Sequence, residues 1–369
     1  MKNSITIGFP RMNKEHGERR AFLPDFIQML TRYANVYLAE GYGSRLGFGF
    51  DDYRQGNPRV FQVERRQAFE KDYVIILRSP NREEFTWMTQ GACLISMLHY
   101  PTRPQRVKRL QELGLNSISL DSIVDDYNLR LVENMRAVAW NGLEAAFNEL
   151  EKTWPGLQRP GKPFRVLILG TGMVGKHAVE AATKLGDVER NTRHIEDDGQ
   201  GSIALCVGRN ISSSPQSMEA LVREADVLVD ATQRRDSSQP VVPNSWIAWL
   251  PEHAIVVDLA VDPYLLDSDP VVVRGIEGIP MGNLDQYVFY PGDRVWDDLV
   301  PASIPSQHRR TTVSCYSWPG IHPEACMDHY GRQMTPLMEA LLSKSYDEIS
   351  LDGNYFERAL SRAKLPPAE

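Results

Sequence analysis

A glycine-rich turn between an apolar segment and a helical segment constrains the fold of this chain more than any other feature. Val166–Leu169 is a continuous apolar run, and the next six residues follow a G-x-G-x-x-G pattern: Gly170, Thr171, Gly172, Met173, Val174 and Gly175. The first glycine of this pattern allows a tight turn, the second lets a pyrophosphate approach the backbone, and the third lets the helix pack closely on the strand. The helix N-terminus adds unpaired N–H groups and a partial positive charge. The pattern therefore predicts a dinucleotide-binding Rossmann unit with these six residues at the cofactor; the alternative is a glycine-rich turn without a ligand.

Strand-like and helix-like segments alternate along the rest of the chain in two series. The first series contains the apolar runs Tyr73–Leu77 and Ala92–Leu98, and the second contains Val227–Asp230 and Ala254–Leu259. Each run has the length of a buried strand and is followed by turn residues, an alternation that is typical of parallel sheets covered by helices.

The length of the chain sets the number of domains. Its 369 residues exceed the roughly 150 that one hydrophobic core usually serves. We therefore predict an α/β fold of two domains. A Rossmann dinucleotide-binding domain is expected over residues 131–319, and a flavodoxin-like α/β substrate domain over residues 1–130, completed by the C-terminal helices of residues 320–369.

Several connecting segments are also distinctive. Leu129–Thr153 has helical spacing and predicts one long helix, and the Pro- and Gly-rich stretch Trp154–Pro163 predicts a linker. Asp187–Ser202 and Gln286–Thr312 lack clear periodicity and are predicted to be irregular. Such segments are either lids and binding loops or plain surface insertions, and the sequence does not choose between the two.

Composition excludes several classes of partner. Lysine and arginine total 41 against 48 acidic residues, a net charge of −7, so no bulk positive field exists to hold a nucleic acid or an anionic membrane. Four scattered cysteines predict no disulfide framework, and no apolar run is long enough to cross a bilayer. The N-terminus has no signal-peptide core, so the cytoplasm is the expected location. Four residues of metal-ligating type lie close together but match no zinc spacing, so no metal is expected: Cys315, His322, Cys326 and His329.

The end of the second strand of the Rossmann unit bears on the choice of cofactor. NAD-preferring sites usually offer Asp or Glu there, whereas this chain has Gly208, Arg209 and Asn210, followed by three serines at 212–214. An arginine and hydroxyl groups suit a 2′-phosphate. The sequence therefore favours NADP over NAD, with Arg209 and Asn210 at the cofactor; the alternative is that Arg209 is a solvated loop cation.

Six stretches in a fixed order resemble a known family. They are Ile7–Arg11 with Glu18–Pro24, Gly47–Tyr53, Leu94–His99, the glycine turn, Val256–Asp262 and Ser317–Gly320. This order resembles the alanine dehydrogenase and pyridine nucleotide transhydrogenase family, whose relatives include saccharopine dehydrogenase and carboxyethylornithine synthase. The resemblance runs nearly from end to end and implies a cofactor-dependent redox enzyme.

The resemblance also assigns residues. It places the carboxylate-binding arginine at Arg20 when counted from Glu18, or at Arg19 when counted back from Pro24, and puts Arg78 where the family has a lysine. Arginine cannot shuttle a proton, so Arg78 fits a bidentate carboxylate clamp rather than acid–base chemistry. The family's catalytic histidine falls on His99. A lone histidine at a strand end is otherwise often structural.

The family's catalytic aspartate falls on Asp262, which is expected to lie near the nicotinamide; its alternative role is to cap a turn after the strand. The leading hypothesis is thus a nicotinamide-dependent amino-acid dehydrogenase, acting on a 2-amino acid or its imine, whose cleft between domains closes before hydride transfer. An opine- or saccharopine-type reductase, which condenses an amino acid with a keto acid, is the first alternative. A non-catalytic dinucleotide-binding subunit or sensor is the second, and a homo-oligomer is compatible with all three.

Overall fold

The computed structural model describes residues 4–12 and 14–367, which form two compact units. The first unit contains the described residues up to 14, together with 18–134 and 322–367, and the second contains 15–17 and 135–321. Among the described residues, no helix combines the length and apolar character needed to cross a bilayer.

The elements are numbered along the chain. The strands are β1 Thr6–Phe9, β2 Asn35–Ala39, β3 Val60–Val63, β4 Tyr73–Arg78, β5 Cys93–Met97, β6 Asn116–Ser119, β7 Phe164–Leu169, β8 Ser202–Val207, β9 Val227–Asp230, β10 Ile255–Asp258, β11 Val288–Phe289 and β12 Thr311–Ser314. The α-helices are α1 Pro24–Leu30, α2 Phe50–Arg54, α3 Arg65–Phe69, α4 Pro104–Glu112, α5 Met135–Thr153, α6 Met173–Ala182, α7 Val188–Glu196, α8 Arg209–Ser212, α9 Pro215–Val222, α10 Asn244–Ile247, α11 Val295–Leu299, α12 Pro323–Ser343 and α13 Tyr355–Arg362. Short 3-10 turns occupy Ser44–Leu46, Glu84–Trp87, Tyr100–Thr102, Leu120–Ser122, Pro155–Leu157 and Trp318–Ile321.

The sheet of the first unit is parallel throughout, in the order β3-β2-β1-β4-β5-β6. Without the edge strand β3, the remaining order corresponds to 2-1-3-4-5, which is the flavodoxin-like order. The winding reverses between β1 and β4, and ligands of such sheets bind in the crevice at the carboxyl ends of the strands next to this reversal. The apolar run of β4 is buried along Tyr73–Leu77, as expected for a strand covered on both faces.

The C-terminal helices belong to the first unit. Met334, Leu337 and Leu341 of α12 and Leu360 of α13 are buried in the same hydrophobic core as the sheet residues of β1, β4 and β5. Each fully buried side chain of this size contributes roughly 1.5–3 kcal/mol relative to exposure. The sheet of this unit is therefore closed off by segments from both ends of the chain.

The sheet of the second unit has the order β11-β12-β10-β9-β7-β8. All its pairings are parallel except that of β11 with β12, which is antiparallel. Since β8 and β9 lie on opposite sides of β7, the winding reverses at β7. The glycine-rich turn follows β7 directly, so it opens at the reversal point where a ligand is expected.

Two of the predicted segment boundaries were wrong. The helix predicted from Leu129 begins at Met135, because the Asp125 carboxylate accepts the N–H groups of Tyr127 and Leu129 and fixes a turn there. The predicted linker at 154–163 lies inside the second unit. Trp154 packs edge-to-face on Phe164, with their ring centroids 5.5 Å apart, so this Pro- and Gly-rich stretch is anchored.

The two segments predicted to be irregular contain regular structure. Residues 187–202 contain α7 (Val188–Glu196), whose N-cap Asp187 accepts the N–H of Arg190. The helix lacks an apolar stripe because its buried face includes the polar residues Asn191 and His194. Residues 286–312 contain β11, α11 and the start of β12, and the fully buried indole of Trp296 donates to the carbonyl oxygen of Gly278 (2.9 Å).

Candidate functional site

The glycine-rich turn borders an open cavity with an empty volume of about 1170 Å³ in the second unit. Its walls are the residues that follow three neighbouring parallel strands, β7, β8 and β9. The lining residues are Gly170, Thr171, Gly172, Gly208, Arg209, Ser212, Ser213, Ala231, Thr232, Gln233, Arg234, Arg235, Asp236, Gln239, Pro240 and Val241. This is the crevice in which a doubly wound sheet binds a dinucleotide.

The three glycines of the turn have different structural roles. Gly170 has φ +110°, which side chains rarely adopt, and a Cβ at Gly175 would overlap the carbonyl oxygen of Gly170. A Cβ at Gly172 would meet no protein atom within 4 Å, because that position faces the open cavity. Gly170 and Gly175 are thus required by the fold, whereas Gly172 leaves room for a ligand.

Not every predicted cofactor residue lines the cavity. Met173 is exposed, Val174 packs against the core, and Gly175 is buried at the turn; none of the three belongs to the cavity lining. Asn210 is exposed and lies outside the lining, next to Arg209, which lies inside it. A contact of these residues with a cofactor stays a prediction.

Arg234 is a site residue that the sequence did not reveal. It lines the cavity and donates to the Asp262 carboxylate (2.7 Å), to the carbonyl oxygen of Gln239 (2.8 Å) and to that of Val273. Its side chain is only 6% exposed. Arg234 therefore joins the loop after β9 to Asp262, the predicted catalytic carboxylate. Its sequence signal was its position four residues past the end of a predicted strand.

The backbone next to Asp262 is strained. Val261 has φ +53°, which is unusual for a β-branched residue, and its N–H donates to Asp258 Oδ1 (2.9 Å). Asp258 Oδ2 in turn accepts hydrogen bonds from the fully buried Arg274 and from the Ser314 hydroxyl (3.0 Å). Strained non-glycine backbone persists only where its surroundings enforce it, and it clusters at functional sites.

A second buried carboxylate, Asp230, lies at the end of β9 beside β10. Its Oδ1 accepts the N–H (2.9 Å) and the hydroxyl (2.7 Å) of Thr232, and burial raises the pKa of this carboxyl. Thr232 lines the dinucleotide cavity, so Asp230 fixes part of the cavity wall.

In the first unit, charged residues follow the carboxyl ends of the strands. Glu18 is at the centre: Arg20 Nε and Nη2 each donate to its carboxylate at 2.7 Å, and Arg78 Nη1 lies 3.6 Å from Glu18 Oε2. Burial opposes ionisation of Glu18, but the hydrogen bonds and charge of Arg20, together with Arg78, hold its pKa below the ordinary value. The predicted substrate arginines Arg20 and Arg78 are thus brought together by one acid.

Arg19 and Arg20, the two candidates for the family's carboxylate-binding arginine, both line one cavity but differ in exposure. Arg20 points inward with a side chain 7% exposed, whereas Arg19 is exposed. The two nevertheless line one cavity, together with Glu18. The structure therefore brings Arg20, rather than Arg19, to Arg78.

His99 and Asp121 form a hydrogen-bonded pair at the ends of the neighbouring strands β5 and β6. His99 Nδ1 lies 3.2 Å from Asp121 Oδ2, and the His99 N–H donates to Oδ1 (3.1 Å). Burial opposes ionisation of Asp121, but the hydrogen bonds and charge of His99 hold its pKa well below the ordinary value. With Nδ1 held by the carboxylate, Nε2 is the ring nitrogen left to face a substrate. The sequence did not predict Asp121, because it did not predict β6.

Models of the N-terminal and C-terminal domains of the alanine dehydrogenase/PNT family match residues 8–139 and 145–263.

The chain belongs to this family.

Relatives agree with this assignment, and solved structures share the fold. Alanine dehydrogenase of Bacillus subtilis is 25% identical over 274 residues, which are 70% of this chain and 71% of that protein. Alanine dehydrogenase of Halomonas elongata is 24% identical over 275 residues, 70% of this chain and 73% of that protein. A solved L-alanine dehydrogenase superposes with a TM-score of 0.72 at 21% identity, over 98% of this chain and 94% of its own. A transhydrogenase from Sinorhizobium meliloti superposes with a TM-score of 0.61 at 13% identity, over 92% and 94%.

Membership of the alanine dehydrogenase/PNT family confirms three predictions from the sequence: the family itself, the two-domain α/β class and a nicotinamide-dependent oxidoreductase. The family's cofactor is a nicotinamide dinucleotide, which fits the cavity at the glycine turn. Of the four residues weighed as metal ligands, Cys315 and Cys326 are buried in the hydrophobic cores. His329 Nε2 lies 2.8 Å from the carbonyl oxygen of Glu133, so its ring is held by the fold.

Proposed function

We propose that the chain is an amino-acid dehydrogenase, which transfers a hydride between the Cα of a 2-amino acid or its imine and a nicotinamide dinucleotide. The observation that carries the proposal is the His99–Asp121 pair. It lies at the carboxyl ends of the strands of the first sheet, as does Arg78, which contacts Glu18. This reaction needs two things from side chains: a base that takes the proton of the substrate amine, and cations that bind the substrate carboxylate.

Arg20 and Arg78 hold the substrate carboxylate in this proposal. Arg78 approaches Glu18 at 3.6 Å, a longer contact than the bidentate pair of Arg20. The planar guanidinium can offer a two-pronged hydrogen bond to a second carboxylate, which a lysine cannot. Glu18 then acts as a positioning residue, because it orients both arginines.

His99 acts as the general base or acid. Asp121 receives the Nδ1 proton and fixes the tautomer, so Nε2 takes a proton from the amine or from water and returns it in the reverse direction. Asp262, held by Arg234, supports this chemistry beside the nicotinamide. The hydride itself is carried by the dinucleotide when it is bound.

The cofactor is assigned more finely as NADP. Arg209, Ser212 and Ser213 line the cavity after β8, and no acidic residue follows that strand at the position that usually binds the ribose hydroxyls. Arg235, which also lines the cavity, adds a further cation. We expect a lower KM for NADPH than for NADH. Arg209→Ala is expected to raise the KM for NADPH about tenfold or more and to leave that for NADH unchanged; a clear NAD preference of the unmodified enzyme would remove this assignment.

The test of the proposed function is oxidation of NADPH or NADH with a panel of 2-oxo acids, each combined with ammonia or with an amino acid. Turnover with ammonia supports the dehydrogenase, and turnover only with an amino-acid amine replaces it by an opine-type reductase. Dinucleotide binding with no turnover of any pair identifies a binding subunit instead. His99→Asn should abolish turnover while dinucleotide binding is retained, and His177→Asn, a half-buried histidine of α6 outside the cavity lining, is the matched control.

A further inference from the structure

A basic cavity opens in the first unit beside the Glu18 cluster, with an empty volume of about 280 Å³. Four arginines line it, Arg11, Arg19, Arg20 and Arg45, whereas Glu18 is the acidic residue in its lining. Arg20 already binds that carboxylate with two hydrogen bonds. The residues that line the cavity therefore carry more positive than negative charge.

Arg11 lies at this cavity, close to the backbone of Gly41. It follows β1, next to the point where the winding of the sheet reverses. Its guanidinium lies against Gly41, where a Cβ would come within 2.6 Å of Nη1, and Gly41 has φ +70°. Within the described residues, Arg11 Nε is buried without a hydrogen-bond partner. The glycine after β2 thus makes room for a guanidinium that has unused donor capacity.

Arg45 completes the cavity from the turn after β2. Its Nη1 donates to the backbone oxygen of Glu18 (3.0 Å), which holds the guanidinium at the cavity. Burial and, after it, the nearby charges of Arg78 and Arg106 lower the pKa of Lys14. A half-buried cluster of cations is costly unless an anion occupies it.

The α-carboxylate of a substrate does not account for all the arginines of this cavity. In the proposed function the α-carboxylate of the substrate is held by Arg20 and Arg78. A substrate with an apolar side chain would leave Arg11, Arg19 and Arg45 facing no substrate charge. Glu18 contacts both Arg20, which lines the cavity, and Arg78, which lies outside its lining, so the two positions are adjacent.

We propose that the substrate is a dicarboxylate, a 2-amino or 2-oxo acid whose distal carboxylate is bound by Arg11, Arg19 and Arg45. This inference rests on the proposed function, because it takes the α-carboxylate to be at Arg20 and Arg78. It makes the three arginines specificity-determining residues and separates this chain's substrate from alanine and pyruvate.

The kinetic test compares 2-oxoglutarate with 2-oxovalerate, which has the same carbon chain but lacks the distal carboxylate. A charge-assisted hydrogen bond corresponds to roughly 10- to 100-fold in affinity, so kcat/KM is expected to be at least about tenfold higher for 2-oxoglutarate. Arg11→Gln and Arg45→Gln should raise the KM for 2-oxoglutarate about tenfold and leave the constants for 2-oxovalerate within twofold. Arg32→Gln, an exposed arginine after α1, removes the same charge elsewhere on this unit and should change neither.

A binding test keeps this inference separate from the proposed reaction. The thermal midpoint of the full chain is measured with glutarate and with butyrate, and again for Arg11→Gln. Stabilisation by glutarate alone, lost in Arg11→Gln, supports the anion site even if no 2-oxo acid is turned over, in which case only the proposed function fails. Equal kcat/KM for the two 2-oxo acids, or equal stabilisation by glutarate and butyrate, overturns the dicarboxylate assignment.

Discussion

Replacing Gly172 by alanine should separate the binding role of the glycine turn from its folding role. Gly172 has φ −73°, an ordinary value for alanine, and an added Cβ would meet no protein atom within 4 Å. Alanine also restricts the unfolded chain more than glycine does. This effect contributes about 0.4–1 kcal/mol to the free energy of unfolding. Gly172 is also the N-cap of α6, where alanine is less favourable than glycine, so the two effects oppose each other and the free energy of unfolding is expected to stay nearly unchanged.

The same substitution should weaken dinucleotide binding. Gly172 lines the cavity at the N-terminus of α6, where a pyrophosphate must approach the backbone closely. A methyl group at this position keeps the phosphates away from the N–H groups of the helix. We expect the dissociation constant to rise at least about tenfold, equivalent to about 1.4 kcal/mol.

Gly175→Ala is the contrasting variant. Its Cβ would overlap the carbonyl oxygen of Gly170, so α6 must move away from the turn. Overpacking of this kind costs about 1–3 kcal/mol of stability, and the displaced helix should also lose affinity. Gly292→Ala, at an open position outside the cavity lining, is the control for a glycine-to-alanine change as such.

The assay pairs a fluorescence titration with NADPH or NADH and unfolding in urea, carried out on all three variants. Loss of affinity without loss of stability in Gly172→Ala, together with loss of both in Gly175→Ala, is the expected result. An unchanged dissociation constant in Gly172→Ala would refute the placement of the pyrophosphate at this turn.

Three further predictions concern charged groups. Because the folded state lowers the pKa of Asp121, its carboxylate stabilises the protein above the unfolded-state value near pH 4, and this contribution is lost as the pH falls below it. Asp121→Asn should thus unfold at a lower urea concentration than the parent at pH 7, with the difference narrowing below pH 4; a pH-independent difference would contradict the role of charge. Arg274→Met leaves the buried Asp258 without its cation and should cost about 3–5 kcal/mol in urea unfolding, part of which Asp258→Asn restores in the double variant. Arg234→Gln frees Asp262 and should lower kcat about tenfold or more, whereas Arg223→Gln on the surface should leave kcat unchanged.

The sequence was sufficient where a local pattern determines the structure. The runs at Tyr73–Leu77 and Val227–Asp230 are apolar because both faces of these central strands are covered, and each proved to be a strand. The glycine turn is equally local, since its spacing follows from the contact between Gly175 and Gly170. Arg20, Arg78 and His99 came from the family resemblance rather than from any physical pattern.

The sequence was insufficient where the cause lies far along the chain. The strand β6 has the sequence Asn-Ser-Ile-Ser, which lacks an apolar run because its two serines are buried with hydrogen-bond partners, the hydroxyl of Tyr100 and the carboxylate of Asp121. Asp121 could therefore not be placed beside His99 from the sequence. Helix α7 was missed because its buried face is polar: His194 accepts a hydrogen bond from the N–H of Gly201. The partnership of Arg234 with Asp262 spans 28 residues and depends on the strand order.

The backbone at the two predicted catalytic residues has the same local arrangement, which no local sequence pattern predicts. His99 has φ +52°, and Val261, next to Asp262, has φ +53°; in both places the N–H of the left-handed residue donates to Oδ1 of a buried aspartate. Each aspartate uses its other oxygen for a cationic or ring partner, His99 itself in one unit and Arg274 in the other. Left-handed backbone costs about 1–3 kcal/mol per residue, and a buried carboxylate that accepts the N–H offsets part of this cost. The backbone conformation at each candidate catalytic residue therefore depends on a buried aspartate that lies outside the predicted set of site residues, Asp121 in one unit and Asp258 in the other.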